Sequence, residues 1–163
     1  MKKKNISNSE SYIRMYTQMA RIRAFEDQAN KLYLSAKMPG LTHMYSGQEA
    51  VAVGICEALK TSDHITSTHR GHGHCVAKGA EFKQMFCELL GKEEGYCRGK
   101  GGSMHIADQE NGNLGANAIV GGSAGIATGA ALSAKNLNRD DVTVCFFGDG
   151  ALGQGLLLSL IHI

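Results

Sequence analysis

Over residues 9–37 the apolar positions Met15, Met19, Ile22, Phe25, Ala29 and Leu32 recur at helical spacing. One apolar face on an otherwise polar segment predicts an amphipathic helix. Ser9 or Ser11 can cap its start, and Pro39-Gly40 ends it. Residues 48–60 are rich in alanine and valine and predict a second, mostly buried helix. Residues 63–68 read as a short strand around Ile65, followed by a loop over 69–73. A helix can open at 75–78, and a clearer one covers 81–90 with Gly91 at its end. Residues 91–117 are glycine-rich with little periodicity, and a loop of that length is expected to be either functional or disordered. Residues 121–136 predict a helix of small side chains able to pack closely on a sheet. After a polar turn at 138–141, the continuous apolar run Val142 to Phe147 predicts a buried parallel strand. Gly148-Asp149-Gly150 follows at once, and then a helix begins. Helices alternating with short buried strands predict an α/β fold, a parallel sheet flanked by helices.

Composition adds little beyond one domain with a real core in 163 residues. The formal net charge of +2 gives no reason to expect nucleic acid or a membrane surface as a partner. No run approaches the roughly 20 apolar residues of a spanning helix. The basic start, Met1 to Lys4, lacks a following apolar stretch and reads as part of a flexible tail over residues 1–8. Five cysteines without a C-x-x-C pair argue for a reducing compartment, hence a cytoplasmic location. The 21 glycines against one proline change the picture most. They crowd into the second half, where backbone can approach a ligand closely.

Three segments carry chemistry. Strand, Gly148-Asp149-Gly150, then helix places Asp149 at a strand tip, where open α/β sheets bind ligands. Its carboxylate suits Mg²⁺, and a following helix N-terminus suits a phosphate. The plainer alternative is a tight turn with a solvent-facing aspartate. Without a P-loop lysine, an NTPase is disfavoured. Thr68-His69-Arg70-Gly71-His72-Gly73-His74 offers an arginine fork for phosphate. The same loop could be an ordinary polar loop, or a non-catalytic metal-binding module using His69 and His72. Gly99 to His105 reads as a mobile basic loop: a flexible surface segment, or a lid whose histidine handles protons.

Taken together, the motifs resemble a known family. Thr42-His43 through Ser46-Gly47-Gln48-Glu49-Ala50, His69 to Gly73, Gly99 to His105, Ala118 to Gly121, and Gly148 to Ala151 resemble five ordered signatures. These belong to the alpha subunit of the thiamine-diphosphate-dependent first component of 2-oxo acid dehydrogenase complexes. The wording is closest to the acetoin dehydrogenase branch, with the pyruvate branch next. The resemblance implies a thiamine-diphosphate-binding fold with thiamine diphosphate and Mg²⁺ as cofactors. It implies cleavage of acetoin, or decarboxylation of pyruvate or a branched 2-oxo acid, with transfer of the resulting acyl unit to lipoamide on a partner acyltransferase. It further implies a beta subunit, in an α2β2 heterotetramer, that supplies the glutamate acting on the aminopyrimidine.

Residue roles follow from the same resemblance. His69 and Arg70 would contact the diphosphate, and Gly150 and Ala151 would cradle it. Ala118 and Val120 would face the aminopyrimidine through backbone groups, and Asp149 would bind Mg²⁺. His43, His72 and His105 would line the active-site channel. The family motif closes with an Asn-Asn pair after the region covered here, so the domain spanning residues 1–163 is expected to be truncated and inactive alone. Leu156 to Ile163 departs from the family and resembles translated adapter read-through, so residues 156–163 are expected to be non-native and His162 has no role.

Overall fold

The computed structural model describes residues 8–163. The tail expected over residues 1–8 lies outside them, except that Asn8 opens the first helix. Nine helices and strands follow in order: α1 Asn8–Leu34, α2 Glu49–Cys56, β1 His64–Thr68, α3 His72–Lys78, α4 Phe82–Leu89, β2 Asn113–Asn117, α5 Ser123–Asn136, β3 Thr143–Cys145 and α6 Gly155–Leu160. Short 3-10 turns cover Gly102–Met104 and Asp149–Gly153. The fold is mixed α/β, with a three-stranded parallel sheet in the order β2-β1-β3. No helix of the described residues is long and apolar enough to cross a membrane.

Helix α1 buries the stripe its sequence predicts: Ile22, Phe25 and Ala29 are almost inaccessible. They join Ala52 and Val53 of α2, Cys75 and Val76 of α3, and Met85 and Leu89 of α4 in one apolar cluster with Tyr45 and Ile106. Phe25 sits at its centre, with ring centroids 5.5 Å from His72, 5.3 Å from Phe82 and 4.5 Å from Phe86. Burying such side chains contributes roughly 1.5–3 kcal/mol each. Gly73 is forced by this packing, because a Cβ there would lie 2.0 Å from the Tyr45 ring.

The sheet differs from its sequence reading in two ways. β2 falls inside the supposed long loop. Asn113-Leu114-Gly115-Ala116-Asn117 has poor strand propensity, and pairing with β1 imposes the extended form. The register runs Ile65↔Asn113, then Ser67↔Ala116 and Thr68↔Asn117, so β2 carries one extra residue as a bulge. The apolar run 142–147 is parallel, as expected, but it is an edge strand whose regular part is Thr143–Cys145, half-buried throughout. The buried central strand is β1, whose Ile65, Thr66 and Ser67 are inaccessible.

Small residues bring α5 onto the sheet, with Ala124 and Ala127 buried. The Ser123 hydroxyl donates to the Ser67 carbonyl at 2.6 Å. Residues of the tail expected to be non-native form α6, which buries none of its side chains completely. Leu157 and Leu160 border a groove with Ala127 and Ala131 of α5. Leu158, Ile161 and Ile163 are exposed.

Candidate active site

A cavity of about 380 Å³ opens where the carboxyl ends of β1 and β3 meet the second strand's exit loop. Thr68, His69 and Arg70 leave β1 along one wall. Phe146 to Ala151 leave β3 along another. Val120 and Gly121 close a third side, and Tyr45, Gln48, Val51 and His74 complete the lining. Parallel sheets bind ligands at this position because loops diverge there and leave a crevice.

His69, Arg70, Val120, Asp149, Gly150 and Ala151, singled out from the sequence, therefore share one cavity. His43 joins them indirectly: its ring stands edge-on to His69 with centroids 5.0 Å apart. Ala118 is half-buried on the same exit loop but is outside the lining. His105 is exposed and also outside it. His72 is fully buried at the start of α3 rather than in a loop. Its Nδ1 donates to Glu26 Oε1 at 2.9 Å, and its Nε2 shares a hydrogen bond of 2.9 Å with the Ser103 hydroxyl.

That arrangement bears on the metal-module alternative. With both ring nitrogens engaged, His72 has no lone pair to offer alongside His69. Among the described residues no group of three or more histidine, cysteine, aspartate or glutamate side chains is arranged to hold a metal ion.

The lining suits an anion next to a cation. Arg70 donates from Nη1 to the Met44 carbonyl at 2.6 Å, which fixes its guanidinium along the wall. The Nδ1 atoms of His43 and His69 are buried without a hydrogen-bond partner among the described residues. Burial first, then the neighbouring His43 and Arg70 charges, hold the His69 pKa below its usual value, so it serves as a neutral imidazole. A Cβ at Gly148 or Gly150 would meet nothing within 4 Å, so that wall stands open to a bulky group. Asp149 is exposed and is the lining's one carboxylate. The helix expected directly after the Gly-Asp-Gly turn is delayed by a 3-10 turn and is the six-residue α6. At this end of the cavity the chain therefore offers side chains and turn amides rather than the N-terminus of a long helix.

The loop at 99–105 is not the mobile lid its composition suggests. Glu88 of α4 is fully buried and accepts four backbone N–H groups, three from this loop and one from Cys97 just before it. Oε2 takes Cys97 at 2.7 Å and Gly99 at 2.9 Å; Oε1 takes Gly101 at 2.7 Å and Gly102 at 3.0 Å. Gly99, at φ 70°, brings the backbone so close to Gly91 that a Cβ would lie 2.4 Å from its carbonyl carbon. The glycines let a backbone wrap a carboxylate, and that fixes the loop.

Among the lining residues without a sequence-derived role are His74 and Tyr45. His74 stacks on Phe146 at 3.8 Å and shares hydrogen bonds with Ser67 Oγ at 2.6 Å and Tyr45 Oη at 3.0 Å. Burial pushes its pKa down to about 3 from 6.5. The unfolded chain takes this proton near pH 6.5, and the folded site refuses it until about 3. The stability held above pH 6.5 is therefore lost as pH falls through that window, by about 1.4 kcal/mol per pH unit. Urea midpoints measured from pH 6.5 to 4 should show this slope, and His74→Gln should flatten it. Identical slopes in the two proteins would rule His74 out as the cause. The sequence clue to buried polar residues of this kind is strongest for Glu26 and Glu88. Each carboxylate interrupts the apolar stripe of its helix, beside Ile22 and Phe25 or Met85 and Leu89.

The sequence model of the dehydrogenase E1 component matches residues 17–163. The chain is 53% identical over 156 residues to the alpha subunit of acetoin:2,6-dichlorophenolindophenol oxidoreductase from Bacillus subtilis, covering 95% of this chain and 47% of that protein. The same-named subunit from Cupriavidus necator is 45% identical over 156 residues, covering 96% and 47%. The pyruvate dehydrogenase E1 component subunit alpha of Rhizobium meliloti is 39% identical over 148 residues, covering 91% and 42%. The chain thus spans about half the length of these relatives or less. With nearly all of its residues inside the family match, this chain belongs to the dehydrogenase E1 component family.

Proposed function

We propose that the chain is part of the alpha subunit of a thiamine-diphosphate- and Mg²⁺-dependent enzyme that cleaves acetoin and passes the two-carbon unit to lipoamide on a partner acyltransferase. The observation that carries the reading is the facing of His69 and Arg70 against Asp149, Gly150 and Ala151 across one cavity. The higher identity to the acetoin-named relatives favours acetoin. Pyruvate or a branched 2-oxo acid is the second reading, supported by the pyruvate dehydrogenase relatives.

In this reading Arg70 and neutral His69 hold the diphosphate, with the Gly150 and Ala151 backbone beneath it. Asp149 gives Mg²⁺ one hard oxygen, and the diphosphate and water give others, which is how Mg²⁺ is usually held. Ala118 and Val120 turn backbone groups toward the aminopyrimidine. His43 and His105 orient substrate and carry protons, with His72 behind them. When bound, thiamine diphosphate supplies the electron sink for the carbon–carbon bond that breaks. A beta subunit in an α2β2 assembly completes the site. The 163 residues alone are proposed to be inactive, since one carboxylate does not fix Mg²⁺. The free state of all five thiols fits a cytoplasmic setting.

The test is turnover by the full-length subunit assembled with its beta partner, given thiamine diphosphate and Mg²⁺. Acetoin is expected to be the best substrate among acetoin, pyruvate and branched 2-oxo acids. A pyruvate preference would select the second reading. Activity on none of them would end both.

A further inference from the structure

Glu26, His72, Ser103 and Thr42 come from four segments far apart in the chain, yet they form one hydrogen-bonded line. Glu26 Oε1 accepts from His72 Nδ1 at 2.9 Å. His72 Nε2 meets Ser103 Oγ at 2.9 Å, and Ser103 Oγ meets Thr42 Oγ1 at 2.8 Å. Glu26 and His72 are fully buried and Ser103 is 5% exposed. The line begins on α1, crosses the first turn of α3, and ends on the two loops that carry the exposed and half-buried candidate histidines. Thr42 is adjacent to His43, and Ser103 is two residues before His105.

A purely packing role would favour apolar side chains here. The second oxygen of Glu26 is buried with no hydrogen-bond partner among the described residues. Leaving a carboxylate oxygen in that state is costly, and well-packed apolar residues are often as stable as a buried charged pair. What the polar line supplies that apolar packing does not is direction. A hydroxyl between two partners fixes the distance and angle of both, and the bonds polarise one another along the line.

We infer that Glu26 and His72 are positioning residues: through the Ser103 and Thr42 hydroxyls they set the 42–43 and 103–105 segments in register, and so place His43 and His105. The inference rests on the proposed roles of those two histidines. In it, His72 acts from within the fold and does not touch substrate.

The experiment uses the assembled full-length enzyme labelled with [15N]histidine, and the variants Thr42→Val, Thr42→Ser, Ser103→Ala and the Thr42→Val/Ser103→Ala double. Thr42 does not touch His72, but the line predicts that Thr42→Val moves the His72 Nε2 resonance through Ser103. Thr42→Ser, which keeps the hydroxyl, leaves it in place. In turnover, Thr42→Val lowers kcat by about 10-fold or more, as expected for a misplaced catalytic group. The loss falls on kcat more than on KM, and Thr42→Ser restores the rate. The double variant is no worse than Ser103→Ala alone. An unmoved His72 resonance in Thr42→Val, or multiplicative rate losses in the double variant, overturns the inference. If the unmodified enzyme turns over no candidate substrate, the proposed function falls, and the resonance arm still decides whether the line transmits.

Discussion

Replacing Glu88 by alanine is expected to destabilise the protein by about 4 kcal/mol and to release the 97–102 backbone. The carboxylate is fully buried and receives the N–H groups of Cys97, Gly99, Gly101 and Gly102 at 2.7–3.0 Å. Hydrogen bonds to a charged partner contribute roughly 1.5–3 kcal/mol each. Their sum overstates the loss, because Gly99, Gly101 and Gly102 are half-exposed and water can reach their amides once the side chain is gone. Glu88→Gln is the sharper test. It keeps the volume but turns an NH₂ group toward two N–H donors, so about 2–3 kcal/mol should be lost with almost no change in packing. Urea midpoints at an unchanged slope measure the stability. Hydrogen exchange at the four amides measures the release. Unaltered protection in Glu88→Gln would mean that the glycine backbone holds its own shape and the carboxylate is incidental.

The second large effect is expected at Asp149. In the assembled enzyme, Asp149→Ala should weaken Mg²⁺-dependent thiamine diphosphate binding by at least about 100-fold, since losing even an outer-shell partner of a metal typically costs 10–100-fold. Asp149 is exposed, so its removal leaves no buried partner unsatisfied and the folded state should be unaffected. That separates the site from the scaffold. Glu88→Gln should reduce stability and leave cofactor affinity nearly intact, and Asp149→Ala should do the reverse. Calorimetric titration with the cofactor at fixed Mg²⁺, beside a thermal melt of the same sample, reads both quantities. Tight binding by Asp149→Ala would remove the aspartate as metal ligand and send the search to other oxygen donors.

The long helices were readable from the sequence because their hydrogen bonds and their apolar stripes are local. Ile22, Phe25 and Ala29 repeat at three and four residues whatever the rest of the chain does, and α1, α4 and α5 lie within a few residues of their predicted spans. Four of the five motifs line the cavity, with Gly99 to His105 outside it, and the ends of β1 and β3 bring His69, Arg70, Asp149, Gly150 and Ala151, grouped in advance by the family resemblance, to its walls. What the sequence could not decide was anything set by a partner far along the chain. β2 has weak strand propensity and extends only because β1 pairs with it. His72 reads as a loop histidine until Glu26, 46 residues earlier, and Ser103, 31 residues later, close on its ring. Glycines 99–102 read as a mobile lid until Glu88 supplies the charge they wrap. Periodicity and motif are properties of neighbouring residues and survive in one dimension; burial of a charge and the partner that makes it tolerable exist only once the chain has closed on itself.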